Sequence, residues 1–324
     1  MRRTAFALVA VLLTSPVGAC ASVERPADCG LSGVTPHPEI GGEVVYSCEV
    51  VYAKTAFYLL DVATGQVRVV VDDRGWNGDP AWSPDGKRLA YVSTKDGAYD
   101  IHVRDLETGT VHNLTRNGIY NGNPTWSPDG AWIMFDSARE GALWSDDQRE
   151  KNYWNYRNLF VARPDGTELR RLTRLPGYNG NPSWAPRGTR IAFLSDRGGT
   201  YNVFTMGVDG EDQHQLTHWD VRDREGGGAY ARWSPDSTRL VFQGEKPDPE
   251  PGSAALYWML AEGGAMHLIT NVKDVMPDWS PSGDWIAFVR EIEPAQIWVV
   301  HPDGSGLTQL TSGVSAKTWP RWRP

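Results

Sequence analysis

DPAWSPDG at Asp79–Gly86, NPTWSPDG at Asn123–Gly130, NPSWAPRG at Asn181–Gly188, YARWSPDS at Tyr230–Ser237 and MPDWSPSG at Met276–Gly283 are one phrase in five copies. A sixth, clipped copy, WPRWRP, closes the chain at Trp319–Pro324. With Trp82, Trp126, Trp184, Trp233, Trp279 and Trp322 as anchors, the spacings are 44, 58, 49, 46 and 43 residues. A self-similar period of about 40 to 50 residues is the signature of stacked supersecondary units in the size range of propeller blades.

Within each period, short runs of alternating apolar and polar residues are bounded by Gly, Pro, Asn and Asp, the pattern of strands. In the first complete unit, strand A enters over Asp79–Trp82 and Ser83-Pro84-Asp85-Gly86 is a tight turn. Strand B is Arg88–Val92, strand C is Ile101–Leu106 and strand D is Val111–Thr115. Proline at the second turn position presets φ, and glycine at the fourth suits a type I turn. Strand D ends on Leu-Thr or Ile-Thr at Leu172, Leu216, Ile269 and Leu310. Glu43–Ser47, Phe57–Val62 and Val67–Val71 read as strands B, C and D with no strand A before them, and Trp319–Trp322 supplies it. The expected fold is therefore an all-β, six-bladed propeller of four-stranded blades over 42–324, closed by pairing of the C-terminal strand with the N-terminal blade. Closure removes the exposed edges that an open stack would present to other chains.

Of the 324 residues, 40% are hydrophobic, 22% are charged and 15 are Trp, a globular composition. The formal charge of -8, with no Lys/Arg run, argues against nucleic acid or an anionic lipid surface as the main partner. Residues 1–19 have the form of a signal peptide: Arg2-Arg3, then an apolar run from Ala5 to Leu13 too short to span a bilayer. Val17-Gly18-Ala19-Cys20 is similar to a bacterial lipobox, which makes Cys20 the expected lipid anchor and the site of export a cell envelope; Val17 and Ala19 also satisfy ordinary secretory cleavage before Cys20. Residues 20–41 read as a linker. Cys29 and Cys48 remain as an even pair in an oxidising compartment; a disulfide is expected, with two unpaired thiols as the alternative.

The repeat NPxWSPDG, an apolar strand, PDG and a closing LT resembles the WD-like repeats of the TolB family, periplasmic six-bladed propellers of the Tol system. The resemblance covers about residues 42–324. It implies the fold and an envelope protein or peptide as partner. That family carries an α/β domain ahead of its propeller, where this sequence has the short stretch Ala21–Gly41. The same repeat also occurs in propellers attached to peptidases and in a sugar-lyase family, so activity has to be argued from a site.

In a propeller, the loops joining D to A and B to C share one face and surround one mouth of the central channel. Irregularity in this chain is concentrated there: an insert at Ala142–Tyr156 containing Trp144, Arg149 and Trp154, a charged segment at His218–Tyr230 containing Asp223 and Arg224, and a third insert at Gly244–Ser253. Trp76-Asn77-Gly78-Asp79, Tyr120-Asn121-Gly122-Asn123 and Tyr178-Asn179-Gly180-Asn181 precede three successive anchors on the same side. Asn77, Asp79, Asn121, Asn123, Asn179 and Asn181, with the insert residues, are the candidate binding set. The competing reading is that Asn-Gly supplies the positive φ of a turn, with the aromatic packed on its neighbour.

The seven His never reach metal-ligand spacing on a common face, and no G-x-S-x-G or phosphate-cradling loop is present. No metal or other cofactor is expected; calcium at the Asp-Gly pairs is the one ion left open. The anchor tryptophans read as inter-blade packing, and the Asp-Gly pairs as turn chemistry. The resulting expectation is a non-catalytic, monomeric envelope protein, lipid-anchored through Cys20, that binds a protein or peptide with its loop-rich channel face. The rival is a carbohydrate-binding or carbohydrate-processing propeller using the same mouth for an oligosaccharide.

Overall fold

The computed structural model describes residues 29, 34–51, 54–139, 156–174, 177–219, 230–245 and 254–324. Every regular element among them is a strand, and the strands form six antiparallel four-stranded sheets. The split blade joins β24 (Lys317–Trp322) to β1 (Glu43–Val51), β2 (Lys54–Asp61) and β3 (Val67–Val71). The Trp82 blade contains β4 (Asn77–Trp82), β5 (Arg88–Ser93), β6 (Asp100–Asp105) and β7 (Val111–Asn113). The Trp126 blade contains β8 (Asn121–Trp126), β9 (Ile133–Ser137), β10 (Asn158–Ala162) and β11 (Arg170–Arg171). The Trp184 blade contains β12 (Asn179–Trp184), β13 (Arg190–Ser195), β14 (Asn202–Gly207) and β15 (His214–Gln215). The Trp233 blade contains β16 (Arg232–Trp233), β17 (Arg239–Glu245), β18 (Ala254–Leu260) and β19 (His267–Thr270). The Trp279 blade contains β20 (Asp274–Trp279), β21 (Ile286–Arg290), β22 (Gln296–Val300) and β23 (Thr308–Gln309).

The ring closes where the sequence pattern requires it. In the β24–β1 pair Val44 lies opposite Trp322, Val45 opposite Arg321, and Cys48 opposite Lys317. The core is a set of blade-to-blade interfaces. Ala90, Val92, Ile101 and Val103 of one blade meet Trp126, Ile133 and Phe135 of the next, and similar clusters join the Trp126 blade to the Trp184 blade and so on around the ring. Two further clusters seal the split blade to its neighbours: Val44, Tyr46 and Tyr58 against Val275, Ala287 and Val289, and Phe57 and Leu59 against Trp82, Leu89 and Tyr91. Each blade buries both faces, which is why its middle strands read as nearly unbroken apolar runs. Cys29 and Cys48 form a disulfide. It ties residue 29 onto β1.

The anchor indoles also bridge blades through hydrogen bonds. Nε1 of Trp82 donates to the Arg321 carbonyl at 3.3 Å, that of Trp126 to Ala81 at 3.2 Å, that of Trp233 to Ser183 at 3.1 Å and that of Trp279 to Arg232 at 3.2 Å. In each case the acceptor sits one residue before the anchor of the preceding blade. The recurrent Leu-Thr has a similar purpose: Thr115, Thr173, Thr217 and Thr311 hydroxyls accept from the backbone N–H of Ile101, Leu159, Val203 and Ile297, where strand C would otherwise leave a donor unpaired. In the SPDG turn, Ser83 Oγ donates to Asp85 and accepts from Arg88 N–H at 2.9 Å, which fixes the A–B connection.

Candidate functional site: the central channel

Strand A lines the axis, and every copy has the same irregularity three residues before its anchor. Asp79, Asn123, Asn181, Tyr230, Met276 and Trp319 all have φ between 50° and 57°. Around five of these positions the A–B register slips, so that two residues face one: between Gly78 and Ala81, Gly122 and Thr125, Gly180 and Ser183, Val275 and Asp278, and Thr318 and Arg321. This is a β-bulge repeated around the ring. Asp and Asn tolerate the left-handed region; Tyr, Met and Trp rarely occupy it and are held there by their surroundings.

The Asn-Gly pairs therefore do not supply the positive φ expected of them; it falls one residue later. Gly78, Gly122 and Gly180 are required for a different reason. A Cβ at these positions would lie 2.3 Å from Trp76, 2.2 Å from Tyr120 and 2.5 Å from Tyr178, the aromatic two residues earlier that folds back over the strand.

The predicted residues separate into three groups. Asn77, Asn121 and Asn179 are 0% exposed, and their amides hold the start of strand A. Asn77 Nδ2 donates to Thr55 O at 2.6 Å, while Oδ1 of Asn121 and of Asn179 accepts from Ser137 and Arg139, and from Ser195 and Arg197. In the Trp279 blade Asp274 takes this position and forms a bidentate pair with Arg290, both contacts at 2.8 Å. Asp79, Asn123 and Asn181 are brought together at the bulge ring. Trp144, Arg149, Trp154, Asp223 and Arg224, like Cys20, lie outside the described residues.

Sequence reading missed the group around which the polar half is organised. Asp136, fully buried on β9, accepts from Asn123 Nδ2 at 2.7 Å, Asn181 N–H at 3.1 Å and Arg157 Nη1 at 3.1 Å. Arg157 lies over the Tyr120 ring at 3.8 Å from its centroid. Burial opposes the charge on Arg157, but Tyr120, Asp136 and Tyr178 raise its pKa above the ordinary guanidinium value. The Asp79 carboxyl is pushed up to about 6 by burial and then by the charge of Asp136, against the pull of Arg321, the Asn123 N–H and Arg232. Asp79 and Arg232 come from blades on opposite sides of the ring, so their interaction runs across the channel. In the bulge ring the lumen is thus polar on the Asp79, Asn123 and Asn181 side and half-buried Tyr, Met and Trp on the other.

The channel has two different mouths. At the end bearing the A–B turns, a cavity of about 390 Å³ is lined by all six anchor tryptophans, five prolines and the residues one before each anchor. Those last are Ala81, Thr125 and Ser183 on one side and Arg232, Asp278 and Arg321 on the other. Burial and then the neighbouring Arg321 bring the Arg232 pKa down to about 9, against Asp278, Asp79 and Tyr230. Aligning the repeats one residue before Trp would have exposed this pattern of three small and three charged residues.

The opposite mouth bears the D–A and B–C loops and an aromatic arc. Trp319 meets Trp76 at 5.3 Å between centroids, Trp76 meets Tyr99 at 5.6 Å, and Tyr99 meets Tyr120 at 5.5 Å. Exposed apolar side chains share this face: Ile119 and Val272 on D–A loops, Ile292 (59% exposed) on a B–C loop, and Val314 (84%) in the loop leading to the closing strand. Among the described residues, no group of His, Cys, Asp and Glu is arranged to hold a metal ion.

Residues 40–143 match the family described as TolB beta propeller domain. A protein of Agrobacterium fabrum described as uncharacterized is 28% identical over 273 residues, 80% of this chain and 68% of that one. The Tol-Pal system protein TolB of Bordetella pertussis is 40% identical over 133 residues, 41% of this chain but 27% of its own length. The crystal structure of TolB from Acinetobacter baumannii superposes with a TM-score of 0.73 at 23% identity, over 87% of this chain and 67% of that one.

Proposed function

On the premise that this chain is a TolB-like β-propeller, we propose that it binds a protein partner of the cell envelope through the loop-side mouth of its channel, without catalysis. The observation that carries this reading is the half-buried arc of Trp319, Trp76, Tyr99 and Tyr120 at this mouth, with exposed Ile119, Val272, Ile292 and Val314 on loops of the same face. Clustered aromatic side chains at the mouth of a channel are the usual anchors of a protein interface. The segments carrying Trp144, Arg149 and Trp154, and Asp223 and Arg224, join β9 to β10 and β15 to β16, and we include them in the proposed contact.

Export and attachment through Cys20 belong to the same proposal, supported by Val17-Gly18-Ala19-Cys20 after a short apolar run. The test is capture from envelope extracts by the intact chain and by Ile292→Asp with Val314→Asp, two exposed positions where the charge leaves the core intact. Proteins retained by the first and lost from the second are the expected result. Identical sets from both would refute the assignment of this face.

A further inference from the structure

The turn-side mouth, opposite the face proposed above for the partner, carries two arginines that form no direct ion pair among the described residues. Arg232 and Arg321 both line the cavity, and Arg321 is 7% exposed. The hydrogen bonds their guanidiniums make are local: Arg232 Nη1 donates to Ala231 O at 3.1 Å and Arg321 Nη1 to Pro320 O at 2.7 Å. Among the described residues neither has a carboxylate within the 4.0 Å of an ion pair. The buried arginines elsewhere behave differently, since Arg157 is paired with Asp136 and Arg290 with Asp274. Removing a guanidinium from water without a partner is expensive, so two of them at one cavity mark a site arranged for an anion.

The surroundings narrow the anion. Among the described residues Asp278 is the one acidic side chain lining the cavity, and its Oδ2 is engaged by Trp322 N–H at 2.9 Å. The lining sets two guanidiniums against one carboxylate, with Asp79 further along the channel also drawing on both arginines, so the site suits no more than a monoanion. A carboxylate suits the fork of arginine donors. The rest of the wall is apolar: prolines 124, 186, 235, 281 and 324 alternate with the anchor tryptophans. Four of the six indole N–H groups are already spent on backbone carbonyls, and Thr125, Ser183 and Ser280 supply the remaining hydroxyls. Such a wall offers few donors to the many hydroxyls of a sugar but accommodates an apolar body with one charged end. At about 390 Å³ the cavity is near the small end of ligand clefts, enough for a chain end rather than a folded surface.

We propose that the turn-side mouth binds the C-terminal carboxylate of a peptide whose last residues are apolar, with Arg232 and Arg321 holding the carboxylate and the tryptophan and proline ring receiving the side chains. The site is independent of the loop-side mouth, so either assignment can fail alone.

Fluorescence polarisation with the full chain tests this, using labelled peptides that end in apolar residues with a free carboxylate, each beside its C-terminal amide. The amide should bind at least tenfold more weakly, and Arg232→Gln should weaken the carboxylate form by a similar factor. Asp278→Asn, which removes the internal competitor while keeping an acceptor for Trp322 N–H, should tighten binding severalfold, an outcome misfolding cannot imitate. Val314→Asp, on the other face, should change nothing. Equal affinity for acid and amide, or unchanged affinity in an Arg232→Gln protein that melts like the parent, would overturn the proposal. Binding of galacturonate oligomers through the same arginines with the peptides inert would overturn the peptide assignment.

Discussion

Replacing Asp79 by Asn should make the protein more stable at neutral pH and leave its stability nearly unchanged in acid. Asp79 is 9% exposed at the bulge of strand A, and its carboxyl is pushed up to about 6 by burial and by the neighbouring charge of Asp136. That is about two pH units above an ordinary aspartate, and each is worth about 1.4 kcal/mol, so holding the side chain ionised in the native state costs ~3 kcal/mol. The native state binds this proton more readily than the unfolded chain. The penalty is therefore present above about pH 6, fades as the pH falls toward 4, and is absent below it. Asn is compatible with the backbone, because Asn123 and Asn181 occupy the equivalent bulge with φ of 50° and 51° against 50° for Asp79. At roughly 2 °C per kcal/mol for a domain of this size, Asp79→Asn should raise the melting temperature by roughly 5 °C at pH 8 and by less than about 1 °C at pH 4. Calorimetry of both proteins at the two pH values measures it. Equal effects at both, or destabilisation at pH 8, would refute the reasoning that burial and Asp136 set the energetics of this position.

Truncation after Ala316 removes β24 and opens the ring, so cooperative unfolding should be lost and an aggregating sheet edge exposed, seen by calorimetry and light scattering. Replacing Cys29 and Cys48 by Ser should cost ~3 kcal/mol in denaturant titrations, because the bridge closes a loop over a separation of 19 residues. Trp126→Phe should destabilise more than Trp184→Phe, by ~1 kcal/mol, since Trp126 Nε1 donates to Ala81 O while Trp184 Nε1 has no partner among the described residues. The His102 imidazole is held down to about 4 by burial and then by Lys95, against Asp96, Asp100 and Asp73; its NMR signals should not titrate above pH 5, and its contribution to stability is lost as the pH falls from about 6.5 toward 4.

The parts of the fold legible in the sequence were those that each blade repeats. Six Trp anchors, the SPDG turns and the Leu-Thr ends perform the same task in every blade, so the repeat specifies them several times over. The split blade was legible because a strand missing at the head is matched by a strand in excess at the tail. The channel was read less well for the opposite reason. The bulge position is occupied by Asp, Asn, Asn, Tyr, Met and Trp in turn, so no composition marks it, and the neighbouring Asn-Gly drew the expectation of positive φ onto the wrong residue. Asp136 and Arg157 were hidden because they sit on strand B and before strand C, outside the anchor phrase, and meet Asn123 and Asn181 only through tertiary packing. The charged trio Arg232, Asp278 and Arg321 lies within the phrase itself, but at a position that varies from blade to blade, so no repeat marks it.

The central claim is that the loop-side mouth is where a partner protein docks. A photo-crosslinking residue placed at Val314 or Ile292 in the cell, with Leu268 on the outer strand of the Trp233 blade as the control, tests it most directly. The account predicts that Val314 and Ile292 capture the same envelope protein and Leu268 captures none. Capture from Leu268 alone, or no adduct from either rim position, would contradict it.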